Sequence, residues 1–357
     1  MTADAAAAQP DRARGALWGL AVGDALGMPT EGLSRADVAG RYGLVDTFHA
    51  GPADSDIAAG LPAGHVTDDT DQAVIVAELL LEGAGTVDAA ALATRLLDWQ
   101  RRMTAAGAHS LLGPSTLRAL RTIEAEGPSS TSGRWGDTNG AAMRIAPVGV
   151  GVPPEPLERL VGAVVSVCEP THNTHVALAG AAAVAAAVSA AVAGGNLAAA
   201  VEHGRRAALA AAAHGHYTTA PSVAARLDGA VRLVRERVEP VADPGERIEA
   251  GSRVIDELVG TSLATQESVP AAFAVLALAD AVAPGGAADP WLVCRIAASL
   301  GGDSDTIAAM AGAVSGGLGG KRALPPAAVA QVAAANPGLR LDELADDLLR
   351  LRLGGTA

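Results

Sequence analysis

The chain has 357 residues, enough for one large domain or two ordinary ones, and sets 26 Lys and Arg against 39 Asp and Glu for a formal charge of −13. Its residues are 50% hydrophobic but only 2% aromatic, so the core has to be built from Ala, Val and Leu. The acidic balance argues against nucleic-acid binding and against docking on anionic membrane lipid, and the small side chains favour closely packed helices over a β-sandwich.

Residues 1–11 are Ala-rich and polar without periodicity, and are expected to form a disordered tail; Asp4 and Asp11 stand where a secretion leader would need basic residues. From Arg12 a helix carries Ala16, Leu17, Leu20 and Ala21 towards Gly23 and Asp24, with glycine spacing that permits close backbone approach. Pro29 then opens a loop that presents Glu31. Residues 40–66, rich in Gly, Pro and Asp, are expected to form one long irregular segment of the kind that often carries function. Helices are expected at 67–82, 87–105 and 114–125, followed by a Gly/Ser/Thr loop over 127–140 that could bring backbone N–H groups against a phosphate.

Further helices are expected at 155–168, 173–193, 196–214, 220–236 and 246–259, then from Ser268 to Ala283 and from Trp291 to Leu300. The helix after Thr306 contains Gly312, Gly316 and Gly317, which lower helix propensity and point to tight packing against a neighbour. One or two helices, ending with residues 341–353, close the chain. The run from Val176 to Gly195 is long enough to raise a membrane span, but it is nearly all Ala, which is close to indifferent to a bilayer, so a buried bundle helix is expected. Nothing reads as a strand, an internal repeat or a domain linker, so residues 12–357 are expected to form a single all-α domain. Cys168 and Cys294 are read as buried thiols in a reducing, cytoplasmic compartment.

Two stretches carry chemistry. Thr67-Asp68-Asp69-Thr70 and Gly301-Gly302-Asp303-Ser304-Asp305-Thr306 each gather small oxygen-bearing residues ahead of an apolar helix. One such side chain caps a helix; the surplus carboxylates have no Lys or Arg nearby in sequence to neutralise them. Hard oxygen ligands suit Mg²⁺, Ca²⁺ or Mn²⁺, so if the two helix starts meet they could hold two metal ions, while ordinary capping is the alternative for either stretch alone.

These stretches, with Gly15 to Gly27, Glu31, Asn139-Gly140-Ala141-Ala142-Met143-Arg144 and Thr171-His172, resemble the ADP-ribosylglycohydrolase family, in the family's order and over about residues 12 to 320. The resemblance implies a compact orthogonal multi-helix bundle. It also implies two Mg²⁺ ions, replaceable by Mn²⁺, held by Thr67, Asp68, Asp69, Asp303, Asp305 and Thr306. Glu31, seven residues after Asp24, matches a glutamate on a mobile loop near the metals. With Asp69 and Asp303 it is assigned to catalysis, as general acid/base or water-orienting group; a solvated loop glutamate is the alternative.

Asp24, Asn139, Gly140, Met143, His172 and Trp135 are assigned to substrate binding, Asp24 from behind the residues that touch the substrate; a helix-end residue bonded to backbone is the alternative for Asp24. Thr138 stands where the family usually has Gly before the Asn, and Thr does not readily take the positive-φ conformations open to Gly. Trp135 could stack on a purine or simply anchor the loop. A zinc reading of His172 with His175 lacks a third ligand of suitable spacing. His214 and His216 are read as a helix terminus, Tyr217 as a second stacking candidate, and Gln266-Glu267-Ser268 as pocket lining or a helix cap.

The implied activity is hydrolysis of the bond between ribose C1 and its acceptor in an ADP-ribosylated protein or an ADP-ribose derivative. A hydrolase of small ribosylated metabolites and a non-catalytic binding protein are the two alternatives.

Overall fold

Gly15, Gly19, Gly23 and Gly27 recur every fourth residue along α1 (Ala3–Gly27) and give it one bare face. That face lies against α15 (Ser304–Gly319), the most extensive helix contact in the molecule. A Cβ on Gly19 would lie 2.1 Å from the Gly312 carbonyl oxygen, one on Gly23 2.2 Å from Ala308 O, and one on Gly316 1.9 Å from Gly15 O. The two helices therefore touch backbone to backbone, which only glycine allows. At its end the stripe sets Gly27 directly on the backbone of Asp305.

The structure, a computed structural model, describes residues 3–55, 57–105, 112–127 and 131–354, so part of the expected 127–140 loop lies outside the described residues. Among them there is no strand, only two isolated bridges. Between the paired helices run α2 (Arg35–Tyr42), α3 (Asp68–Glu82), α4 (Ala89–Ala105), α5 (Pro114–Glu126), α6 (Gly140–Met143), α7 (Ala146–Gly151) and α8 (Leu157–Cys168). Next come α9 (His175–Val192), α10 (Leu197–Ala211), α11 (Val223–Val238), α12 (Pro244–Val254), α13 (Thr265–Val282) and α14 (Pro290–Ala298). Helices α16 (Pro326–Ala335) and α17 (Leu341–Arg352) follow α15. The expected all-α bundle is what forms.

Helix α9 is the apolar run long enough to span a membrane, and 94% of it is buried inside the bundle, packed on α10, α7 and α15. The two cysteines are free and buried.

Several expectations are corrected. The first helix begins at Ala3, not Arg12, so residues 3–11 are helical rather than a loose tail: a run of Ala has the highest helix propensity, and Gln9 is already buried. Helix α2, capped by Ser34 and stopped at Gly43, was not anticipated, nor were the short α6 and α7. Helix α13 starts at Thr265, three residues before Ser268, and so contains Pro270. Pro270 lacks an N–H for the Gln266 carbonyl, and that oxygen accepts from Arg226 Nε instead. Of the irregular segment expected over 40–66, residues 40–42 belong to α2, and the described residues from 43 to 66 hold no helix.

Candidate metal centre and active site

The turn before α15 is built on two glycines in the left-handed region, Gly301 at φ 72° and Gly302 at φ 66°. It is stitched to the turn after α1: Gly302 N–H donates to Leu33 O and Gly32 N–H to Gly302 O, both at 2.8 Å. The Thr30 and Ser304 hydroxyls lie 2.9 Å apart beneath this pair. Glu31 stands inside the stitched turn, so its backbone is held by the second acidic stretch instead of swinging on a free loop.

The first acidic stretch is fixed from the other end of α1. Asp24, fully buried, accepts the Thr67 N–H at 3.0 Å, the Thr70 N–H at 3.1 Å and the Thr70 hydroxyl at 2.5 Å. It thereby caps α3 from outside, leaving Asp68 and Asp69 free of that duty. The two stretches then meet: Thr306 Oγ1 of α15 donates to Asp69 Oδ2 at 3.3 Å, and Thr67 Oγ1 donates to the same oxygen at 3.3 Å.

A cavity of about 160 Å³ opens at this junction. Glu31, Asp68, Asp69, Asp303, Asp305 and Thr306 form its acidic wall, and Thr138, Asn139, Gly140 and Met143 line it with the apolar Ile57, Leu112 and Leu263. No Lys, Arg, His or aromatic side chain is among the described lining residues. Carboxylate oxygens of Glu31, Asp303 and Asp305 lie within 4.8 Å of one another. Glu31 Oε2, Asp69 Oδ1 and Asp305 Oδ1 are buried without a hydrogen-bond partner. Asn139 Nδ2 donates to Asp303 Oδ2 and, at 2.9 Å, to Ser268 Oγ. Asp303 is therefore aimed across the cavity and does not cap α15 with its side chain.

Burial pushes every carboxyl of the cluster up. Glu31, Asp68, Asp69 and Asp305 stand well above the usual range, first through desolvation and then through one another's charges. Asp303 is pushed up to about 6 by burial, against the hydrogen bonds from Asn139 and Thr306. Orphaned oxygens, mutual repulsion and the lack of a basic neighbour fit a hard divalent cation, which would replace the protons the cluster otherwise holds.

A pH dependence follows. A carboxyl whose pKa is raised by folding stabilises the folded state fully below its unfolded value and loses that contribution as pH rises through the folded value. The metal-free protein is expected to lose thermal stability as pH rises from about 4 past about 6, the position of Asp303 and Asp24. Saturating Mg²⁺ should stabilise it increasingly over the same range, because cations compete with protons for the oxygens. Melting curves from pH 4 to 8 with and without Mg²⁺ check this; parallel curves would count against a cation site.

The assigned residues divide as follows. Asp68, Asp69, Asp303, Asp305 and Thr306 converge, and Glu31, assigned to catalysis, joins the group able to ligate a metal. Thr67 lies behind Asp69 as the α3 cap and does not line the cavity. Asn139, Gly140 and Met143 line it as assigned. Asp24 does not face it, because its oxygens are spent on α3. Trp135 is 58% exposed, lies under Arg134 at 4.9 Å, and is not a lining residue: the loop turns its ring to solvent. His172 is fully buried behind Gly140. It does not share a ligand with His175, whose Nδ1 accepts from Thr218 N–H. Tyr217 stacks on His175, away from the cavity. One supporting residue, Gln72, was missed, and Arg144, named only as the end of a motif, was given no role. Gln72 Nε2 donates to Asp68 Oδ2 at 2.7 Å, and Arg144 Nη1 donates to Gln72 Oε1 at 2.7 Å. A lone Arg in the apolar run Ala141 to Val150 was the available signal for the second.

Comparison with known proteins agrees with this geometry. The ADP-ribosylglycohydrolase family model matches residues 5–356. The uncharacterized protein YegU of Escherichia coli is 36% identical, over 91% of this chain and 93% of its own length. The ADP-ribosyl-[dinitrogen reductase] glycohydrolase of Rhodospirillum rubrum is 33% identical over 38% of this chain and 43% of its own. The ADP-ribosylarginine hydrolase Tri1 of Pseudomonas putida is 34% identical over 39% and 36%. A solved ADP-ribosylglycohydrolase-related protein complex superposes with a TM-score of 0.65 at 27% identity, covering 96% of this chain and 99% of that one. The chain belongs to the ADP-ribosylglycohydrolase family of glycosidases and has its all-helical fold.

Proposed function

We propose that the protein is a divalent-metal-dependent hydrolase of the bond between ribose C1 and its acceptor in an ADP-ribosylated protein or an ADP-ribose derivative. The observation that carries the reading is the convergence of two remote acidic turns and Glu31 on one small cavity with three orphaned carboxylate oxygens. The activities of the Rhodospirillum and Pseudomonas relatives support the substrate class. Asp68, Asp69, Asp303, Asp305, Thr306 and Glu31 would hold two Mg²⁺ or Mn²⁺ ions. Such ions, when bound, supply a grip on vicinal ribose hydroxyls and an acidified water.

The chain's own groups supply the rest. Asn139 keeps Asp303 turned to the cavity, and Gly140 lets the backbone stand close to the sugar. Glu31 Oε2, buried and unpartnered, is placed to pass a proton between entering water and departing acceptor. Charge that develops on the sugar in an oxocarbenium-like transition state meets a wall of carboxylates.

One observation favours a second reading. A cavity of about 160 Å³ with no aromatic side chain among its described lining residues encloses a ribose more readily than a whole ADP-ribose, which suits a small riboside. Chelated protein should release no ADP-ribose from ADP-ribosyl-arginine, ADP-ribosyl-serine or O-acetyl-ADP-ribose, and Mg²⁺ or Mn²⁺ should restore turnover. Turnover of simple nucleosides alone would select the second reading, and full turnover in chelator would defeat both.

A further inference from the structure

Arg144 is the largest fully buried side chain in the molecule, and a guanidinium can only donate. Its Nη1 donates to Gln72, and its Nη2 donates to Thr171 Oγ1 at 2.6 Å. Thr171 Oγ1 has a second lone pair, but its own hydrogen has no other acceptor among the described residues than the ring nitrogen beside it, so it is assigned to donate there. That nitrogen is His172 Nδ1, at 2.8 Å. A neutral imidazole that accepts at Nδ1 carries its hydrogen on Nε2. Burial, with Arg144 and Arg118 nearby, keeps His172 neutral by holding its pKa well below the usual value. Nε2 in turn lies 3.2 Å from Thr138 Oγ1, which in this tautomer would accept from it.

The hydrogen bonds therefore run one way, from Arg144 through Thr171 and His172 to Thr138. Thr138 lines the cavity, and no described residue takes its hydroxyl hydrogen. His172 itself is fully buried against Gly140 and does not line the cavity. Of the other lining side-chain donors, Asn139 is engaged by Ser268 and Asp303 and Thr306 by Asp69, which leaves the Thr116 hydroxyl beside Gly140 as the other donor open to a ligand.

We propose that Thr138 is a substrate-binding residue that donates its hydroxyl hydrogen to an acceptor oxygen of the bound sugar or its phosphate, and that Arg144, Thr171 and His172 are positioning residues that set this direction. The proposal rests on the ADP-ribosyl reading of the cavity. It assigns the histidine an indirect role, with Thr138 carrying the contact at the position where family members usually have glycine.

The test compares wild type with T138V, T138S and T171V. Calorimetry with ADP-ribose should show a roughly tenfold loss of affinity in T138V, the effect of one hydrogen bond, with T138S within about twofold of wild type. T171V, which replaces a residue outside the cavity, should lose affinity nearly as far as T138V. Unchanged Mg²⁺ binding in all three shows that the site is intact. ¹⁵N spectra of His172 should show the Nε2–H tautomer in wild type and lose that preference in T171V. Repeating the titrations with ribose and with ADP assigns the oxygen, since only the ligand that bears it weakens in T138V. Wild-type affinity in T138V, an equal loss in T138S, or an Nδ1–H tautomer in wild type would overturn the proposal. Wild-type protein that binds ADP-ribose with this pattern but hydrolyses no ADP-ribosyl substrate would sink the functional reading instead.

Discussion

Asp305→Ala is expected to lower release of ADP-ribose by ~10²–10³-fold or more, the range seen when a preorganised electrostatic group is removed from an active site. Its effect on stability should have the opposite sign. Asp305 is buried, its Oδ1 has no partner, and it sits within reach of Glu31 and Asp303 in the carboxylate cluster. Without cations it is a source of repulsion, so its loss should raise the melting temperature of the metal-free protein. The stabilisation by Mg²⁺ seen in wild type should largely vanish, because fewer hard oxygens remain to hold the ion. A residue kept only for the fold would behave in reverse, lowering the melting temperature with or without Mg²⁺. Turnover assays beside melting curves with and without Mg²⁺ separate the two cases, and a variant with wild-type turnover would end the assignment of Asp305.

Gly19→Val should have the largest effect on folding. The position for its Cβ is 2.1 Å from Gly312 O and 2.8 Å from Gly312 C, which are backbone atoms without another rotamer to adopt. Relief requires α1 to move off α15, so the destabilisation should reach ~3 kcal/mol or more, the upper end for overpacked cores. Because Glu31 follows α1 and Asp305 opens α15, any folded remainder should also bind Mg²⁺ poorly. Gly229→Ala in α11 is the control: nothing lies within 4 Å of its Cβ position, and the swap should stabilise by ~0.5–1 kcal/mol. Denaturant unfolding checks both; a Gly19 variant as stable as wild type would mean that the helices are not in backbone contact.

The halves of the site were legible in the sequence for a definite reason. A helix start needs one capping oxygen, and Thr67 to Thr70 and Asp303 to Thr306 hold several, so the surplus is visible without coordinates. The glycines of α1 and α15 announced close approach, although not that each helix was the other's partner, because spacing along one helix carries no information about which helix faces it. The second layer was hidden for the same reason. Gln72, Arg144 and Thr171 are joined only by the fold: two of them stand in recognisable motifs, but nothing in those motifs says that they touch. Trp135 and Asp24 came out differently: an aromatic in a glycine-rich loop suggested stacking, whereas an aspartate at a helix end left open the backbone bonding that it makes. The loop turns the first to solvent, and the unpaired N–H groups of α3 claim the second. Helices α2, α6 and α7 escaped because four to eight residues are too few to display a period.

The main-chain seam between α1 and α15 bears on ion choice. Side chains can yield a few tenths of an ångström by changing rotamer, but carbonyls pressed on α-carbons cannot. The gap between Glu31 and the opposing aspartates is thus gauged by peptide geometry, further clamped where Gly32 donates to Gly302 and Gly302 to Leu33. Ca²⁺, which needs bonds of ~2.3–2.6 Å against ~2.0–2.1 Å for Mg²⁺, would have to part the two helices to be held there, so it is expected to stabilise the protein less than Mg²⁺ does.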